Sequence, residues 1–340
     1  MSKKKSKTPH KPRAGDGRPT TVVRDPSDVI VIIPYLLGFD PVDSVVVVAL
    51  EGPRKRFGPC FRLDLAGLAE VPQQVSTIVG LVDRLGCATV LIVVFSDDAQ
   101  RADAVALAAC AQLDDRGVTV KEALRADGGR WWSYSCDSPE CCSPDGMPYD
   151  ASTSRVAAEA VVAGMQRLPS RDSLRVQFEP LVARSSAIES MRRETELPAL
   201  SEDEFTSLLA HGLGNPQALD DPDLLRLATA VQGLVLRDLA WSEMSRADAE
   251  LHFALWSHVM RCVPADLLAP VGSLTAFAAW LQGTGVLASH AVDRVLAVYP
   301  RYSMAGLIAQ ILQSGVNPGR WDEMGARELR SPSDSAPLAG

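Results

Sequence analysis

Two short apolar runs constrain the fold more than anything else in the chain: Val45-Val46-Val47-Val48-Ala49-Leu50 and Thr89-Val90-Leu91-Ile92-Val93-Val94-Phe95. Each is continuous, β-branched and bounded by turn residues, which marks a strand buried on both faces. Such strands need helices packed above and below them, and the sequence supplies those helices. Val75, Ile78, Val79 and Val82 recur at helical spacing between Pro72 and Leu85, and Gly86 stops that helix. Phe61-Arg62-Leu63-Asp64-Leu65 alternates, and pairs with the first run as a hairpin across the turn Glu51–Pro59. Ala99–Leu113 reads as a second helix, Val118–Leu124 and Arg130–Tyr134 as strands, and Thr153–Arg167 as an alanine-rich helix. This alternation predicts an α/β domain with a mixed sheet flanked by helices. Ahead of it, Asp25-Pro26 has the form of a helix start, whereas Val29–Ile33 favours a strand on propensity, and both readings stand.

The second half reads as helix throughout. Ser201-x-x-Glu204 is a capping box whose helix closes at Gly212 and Gly214, and Asp221-Pro222 opens a helix running to about Leu239. Ser245-x-x-Asp248 opens another that ends before Pro264, followed by Ser273–Gln282, Leu287–Val298 and Met304–Gln313. Gly283, Ala288, Val292, Val295 and Pro300, with Ala276 and Trp280 before them, occupy spacings similar to half of a tetratricopeptide repeat. A single degenerate unit favours helix-hairpin packing over a peptide-binding solenoid, because a repeat needs stacked neighbours. A chain of 340 residues suggests two domains. The expected division is a basic tail at 1–24, an α/β domain at 25–180, a connecting helix at 181–200, a helical domain at 201–328 and a second tail at 329–340.

Composition excludes several classes. Hydrophobic residues at 46% and charged residues at 22% are ordinary globular usage. No apolar stretch approaches the roughly 20 residues of a membrane span, and no signal-peptide core follows the basic start, so a cytoplasmic protein is expected. Lys3, Lys4, Lys5, Lys7, Lys11, Arg13 and Arg18 crowd the N-terminus of a chain with net charge −8. The acidic body argues against nucleic acid as main partner, leaving at most a weak contact through that tail. The seven cysteines do not suggest a disulfide scaffold, and Cys60, Cys87, Cys110 and Cys262 read as small core residues.

Three segments together resemble the family called domain of unknown function 4192. They are Pro34-Tyr35-Leu36-Leu37-Gly38-Phe39-Asp40-Pro41-x-x-Ser44 running into Val45–Leu50, then Arg62-x-Asp64-Leu65, then Arg130-Trp131-Trp132-Ser133-Tyr134-x-Cys136 with Cys141-Cys142 and Gly146. Similarity continues through Ala279-Trp280, Ala291–Val295, Tyr302–Gln310 and Trp321, so it spans Pro26 to Trp321. The resemblance implies a bacterial, typically actinobacterial protein, a helix across Asp28–Leu37, and no activity.

Candidate sites are few. Cys136, Cys141 and Cys142 share one loop, where they could ligate zinc, form a disulfide, act as a redox nucleophile or simply pack. Adjacent cysteines rarely serve one tetrahedral ion and no CxxC or histidine is nearby, so a packed structural loop is favoured and no cofactor is predicted. Asp97 and Asp98 follow a buried strand, where a ligand of an open α/β sheet would bind, yet a helix N-cap is the plainer role. Arg130, Trp131 and Tyr134 join a cation to aromatics, either to pack or to hold a planar ligand. Ser44 enters a strand instead of leaving one, the reverse of a nucleophile elbow. No HExxH, P-loop or GxGxxG pattern occurs. The expectation leans away from an enzyme, toward a binding or scaffold protein whose helical domain contacts protein partners. The alternative is an enzyme of unrecognised type whose site lies at the carboxyl ends of the strands beside the Cys136–Cys142 loop, with Asp97, Asp98, Arg130 and Cys136 in mutual reach.

Overall fold

A computed structural model describes residues 22–136, 138 and 142–324. Of the two expected tails, only residues 22–24 are among the described residues. The first helix, α1 (Pro26–Leu37), answers the question left open by its sequence. Asp25 caps it by accepting from the Asp28 N–H at 3.0 Å, and Pro26 fills the first turn. Its β-branched residues stay helical because apolar partners lie on opposite sides. Val29, Ile30 and Ile33 pack on the sheet, while Ile32 meets Val156 and Ala160 of α4 (Arg155–Val162).

The sheet contains β1 (Ser44–Glu51), β2 (Arg56–Asp64), β3 (Thr89–Phe95), β4 (Thr119–Asp127), β5 (Arg130–Ser133) and β6 (Met147–Pro148) in the order β2-β1-β3-β4-β5-β6. The two apolar runs lie side by side in it as β1 and β3, antiparallel, with Ser44 opposite Phe95. Only β3 and β4 pair in parallel, joined by α3 (Ala99–Asp114). Alternate residues of the central strands divide between the two faces. Val45, Val47, Val90, Ile92 and Val94 meet α3 and α2 (Val71–Leu85), and Val46, Val48, Leu91 and Val93 meet α1. The β1–β2 turn is shorter than its Gly/Pro content predicts, because Gly52 and Lys55 at positive φ turn the chain within Gly52–Lys55.

Three predicted helices are corrected. The alanine-rich helix expected over Thr153–Arg167 is only α4, since Gly164 at φ 80 unwinds it after Val162. A short 3-10 segment, Asp172–Phe178, then leads into the connecting helix α5 (Val182–Glu194). The helix expected from Asp221 to about Leu239 is two, α7 (Asp221–Ala230) and α8 (Leu234–Ser242), broken where Gly233 adopts an extended conformation. The helix expected to begin at Ser273 begins at Leu268, because Pro270 is tolerated in a first turn.

The remaining helices are α6 (Glu202–Gly214), α9 (Ala249–Cys262), α10 (Leu268–Leu281), α11 (Gly285–Val298), α12 (Ser303–Gln313) and α13 (Gly319–Met324). The capping box at Ser201 and Glu204 is formed as expected. Every residue of α10 is buried, so it runs through the middle of a bundle instead of lining an open stack. The repeat-like register at Ala276–Pro300 thus marks the α10–α11 hairpin. This core, with Trp256, Phe277 and Leu255 at its centre, is distinct from the clusters that cover the sheet. The two halves meet where α2 ends: Arg84 Nε donates to the Ser314 carbonyl at 2.6 Å.

Candidate functional site

The register gathers the polar residues of the α/β half at one rim. Ser44 lies opposite both Phe95 and Asp64, so the start of β1 and the ends of β2 and β3 lie together. Asp43, at φ 40, turns its carboxylate toward the end of β3, a left-handed conformation that Asp tolerates better than most residues. There Ser96 donates to Asp43 Oδ1 at 2.6 Å and Arg101 Nη2 lies 3.1 Å from Oδ2. Arg101 also binds Asp98 at 2.9 Å and donates to the Leu65 carbonyl at 3.3 Å. The Ser96 hydrogen bond, aided by Arg101, holds the Asp43 carboxyl below its ordinary range against the opposing effect of burial. Asp98 is the N-cap of α3, accepting from the Arg101 N–H at 3.1 Å, and its carboxyl is likewise lowered by that bond. Asp97 is exposed and makes no hydrogen bond or ion pair among the described residues. Ser44 is fully buried: its hydroxyl donates to the Val42 carbonyl at 2.6 Å and accepts from Arg62 Nε at 2.8 Å, while Arg62 binds Asp64.

The second cluster surrounds β5. Trp131 faces the α1 side, where it is buried and donates to Ser27 Oγ at 3.1 Å. Trp132 faces the other way. The Arg125 guanidinium stacks 3.8 Å from its ring centroid, and its Nε1 donates to the Pro144 carbonyl at 3.0 Å. Gly146 fits beside this ring at φ 81, where a Cβ would fall 2.6 Å from Trp132 Cε2. Arg130 donates to the carbonyls of Asp145 and Gly146 at 3.0 and 2.8 Å, which ties the loop's return to the strand. Tyr134 donates to Asp103 at 2.7 Å, and burial together with that carboxylate pushes its phenol well up. Between strand and loop lies a cleft of about 200 Å³, lined by Trp131, Trp132, Ser133, Cys136, Cys142 and Pro144 among others. Cys141 lies outside the described residues. Elsewhere, burial pushes Cys60 up to about 12 and raises Cys87, Cys110 and Cys262 as well, which suits packed thiols and not nucleophiles.

Strand direction decides which candidates meet. Because β5 runs antiparallel to β4, Arg130 lies opposite Asp127 at the rim, and Ser133 already lies opposite Leu124. The chain beyond it heads toward the amino ends of β3 and β4: the Tyr134 N–H bonds the Ala123 carbonyl. It comes back along β5 to pair Met147 with Trp131. The described return of the loop lies along β5, where Arg130 donates to the Asp145 and Gly146 carbonyls and Trp132 to that of Pro144. Asp98 is engaged with Arg101. The sequence did not single out Asp43, Arg62, Arg101 or Trp132 as site residues. Two of the four were visible beforehand, as Arg62 and Trp132 lie in segments that carry the family resemblance.

The helical half holds a shallow cleft of about 460 Å³ lined by Asp203, Glu204, Ser207, Leu208, His211 and Arg226. Within its core, His258 sits between Arg184 and Gln217. No group of three or more His, Cys, Asp or Glu among the described residues is placed to hold a metal ion. No helix among them is long and apolar enough to cross a membrane.

The family model described as "Domain of unknown function (DUF4192)" matches residues 26–319, and the chain belongs to that family. No curated protein and no solved structure matches the chain.

Proposed function

We propose that this chain is a non-enzymatic binding protein of the bacterial, typically actinobacterial, cytoplasm. Its α/β half takes a ligand or partner in the cleft beside Trp132, and its helical half makes protein contacts. The observation that carries this reading is the closure of the rim. Ser44, Asp43, Ser96, Asp98, Arg62 and Arg101 satisfy one another; Ser96 does donate to the Asp43 carboxylate, but that carboxylate is paired with Arg101 and held below its ordinary range, which makes it a poor general base. The Trp132 cleft offers what a binding site needs, an aromatic wall with polar groups at its edge. The direction of β5 argues against the rival enzyme, whose site required Cys136 beside Asp97.

The test compares tagged full-length protein, W132A and S44A as baits in lysate of the native host. The proposal expects one species retained by wild type and S44A and released by W132A. Retention that is lost in S44A but kept in W132A would move the site to the rim and overturn it.

A further inference from the structure

The segment that joins the sheet to the bundle is strapped down by hydrogen bonds to α9 and α11. Leu181 N–H donates to the Arg261 carbonyl at 2.7 Å, Arg261 Nε to the Glu179 carbonyl at 3.1 Å, and Arg294 to the Phe178 carbonyl. His290 Nε2 meets the Arg171 carbonyl at 3.1 Å. The next anchor is of a different kind. Arg184 of α5 points Nη1 at His258 Nε2, 3.2 Å away, Nη2 at the Leu219 carbonyl, 2.9 Å, and Nε at Asp221, 2.7 Å.

A guanidinium only donates, so His258 Nε2 carries a lone pair and the ring proton sits on Nδ1; the Gln217 side-chain amide, whose nitrogen lies 3.1 Å from Nδ1, accepts that proton with its oxygen once turned end for end. Cys262 Sγ lies 3.8 Å from the same Nε2. The charges acting on the ring are Arg184 from α5 and Arg261 from its own helix, both positive. Asp221 at the start of α7 is bound by Arg184 Nε, and α10, packed along α9, has no ionisable residue. A second proton on this imidazole would set an N–H against the Arg184 N–H in a buried site.

We propose that His258 is an acid-sensitive latch: its neutral ring holds Arg184, and its protonation releases α5 from α9 while the sheet and α10 stay folded. Burial and the two arginines already lower the affinity of the ring for that proton, in keeping with the role. His290 is the auxiliary anchor. Arg171 and Arg175 from the strap and Asp293 from its own helix surround it, and its carbonyl bond survives protonation.

Hydrogen–deuterium exchange of full-length protein at about pH 7.5 and about pH 5.5, corrected for intrinsic rates, tests the latch. An opened His258 with an ordinary imidazole affinity makes opening about tenfold more favourable at the lower pH. Peptides from 182–194 should lose about tenfold in protection, at exposure times too short for β3 and α10 to exchange at either pH. In H258Q, whose amide oxygen still accepts from Arg184, the loss should vanish. Equal loss in H258Q, no loss in wild type, or the same loss in β3 and α10 at those short times would overturn the proposal. Should H258Q not fold, R184M decides: the latch requires its α5 to be exposed alike at both pH values, and a persisting pH dependence refutes it.

Discussion

The hydroxyl of Ser44 donates to one backbone carbonyl and accepts from one guanidinium, with no accessible surface of its own. A serine so placed contributes to folding, because removing it leaves Arg62 Nε and the Val42 carbonyl short of a partner. S44A should therefore lose about 1–2 kcal/mol of stability in urea titration, with secondary structure unchanged. Asp43 adds a pH signature. Its carboxyl is lowered by Ser96 and Arg101, so its contribution is present above about pH 4, the unfolded value, and fades as pH falls through the folded one.

Among the elements, the α9–α10–α11 core depends most on close approach. At Gly272 of α10, an added Cβ would collide with Val295 of α11 and meet Met260 of α9 at 3.2 Å. G272A should cost about 1–3 kcal/mol by overpacking, read as a lower urea midpoint with an unchanged slope. Nothing in the local sequence announces this glycine, since it sits inside a helix without a turn to explain it. The buried strands were legible because uninterrupted runs such as Val45–Leu50 fit nothing else, and the caps at Asp25 and Ser201 because their side-chain bonds are local. The breaks at Gly164 and Gly233 were not, because a helical pattern continues past each glycine and only packing chooses where to stop. The rim was half legible. Ser96-Asp97-Asp98 could be placed at the end of a strand, but the partnership of Asp43 with Arg101 crosses two loops and leaves no periodic trace.

At the scale of the whole molecule, three histidines of the helical half are buried: His252, His258 and His290. Burial is the main cause lowering all three below the ordinary imidazole value. The unfolded chain then takes up protons first as the solution acidifies. The stability tied to the neutral rings is intact above about pH 6.5 and is lost as pH falls through the folded values. The melting temperature should drop between about pH 7 and about pH 5, and in a variant with all three histidines replaced by Gln that slope should flatten.

The account rests on a rim whose polar groups are engaged with each other and not reserved for a substrate. A double-mutant cycle on Asp43→Ala and Ser96→Ala, read by equilibrium unfolding of the full chain, addresses that most directly. The account predicts that the two changes couple by about 1 kcal/mol, the single variants each being less stable than wild type. Strictly additive changes, with either variant as stable as wild type, would contradict it and mark Asp43 as a group held ready for a ligand.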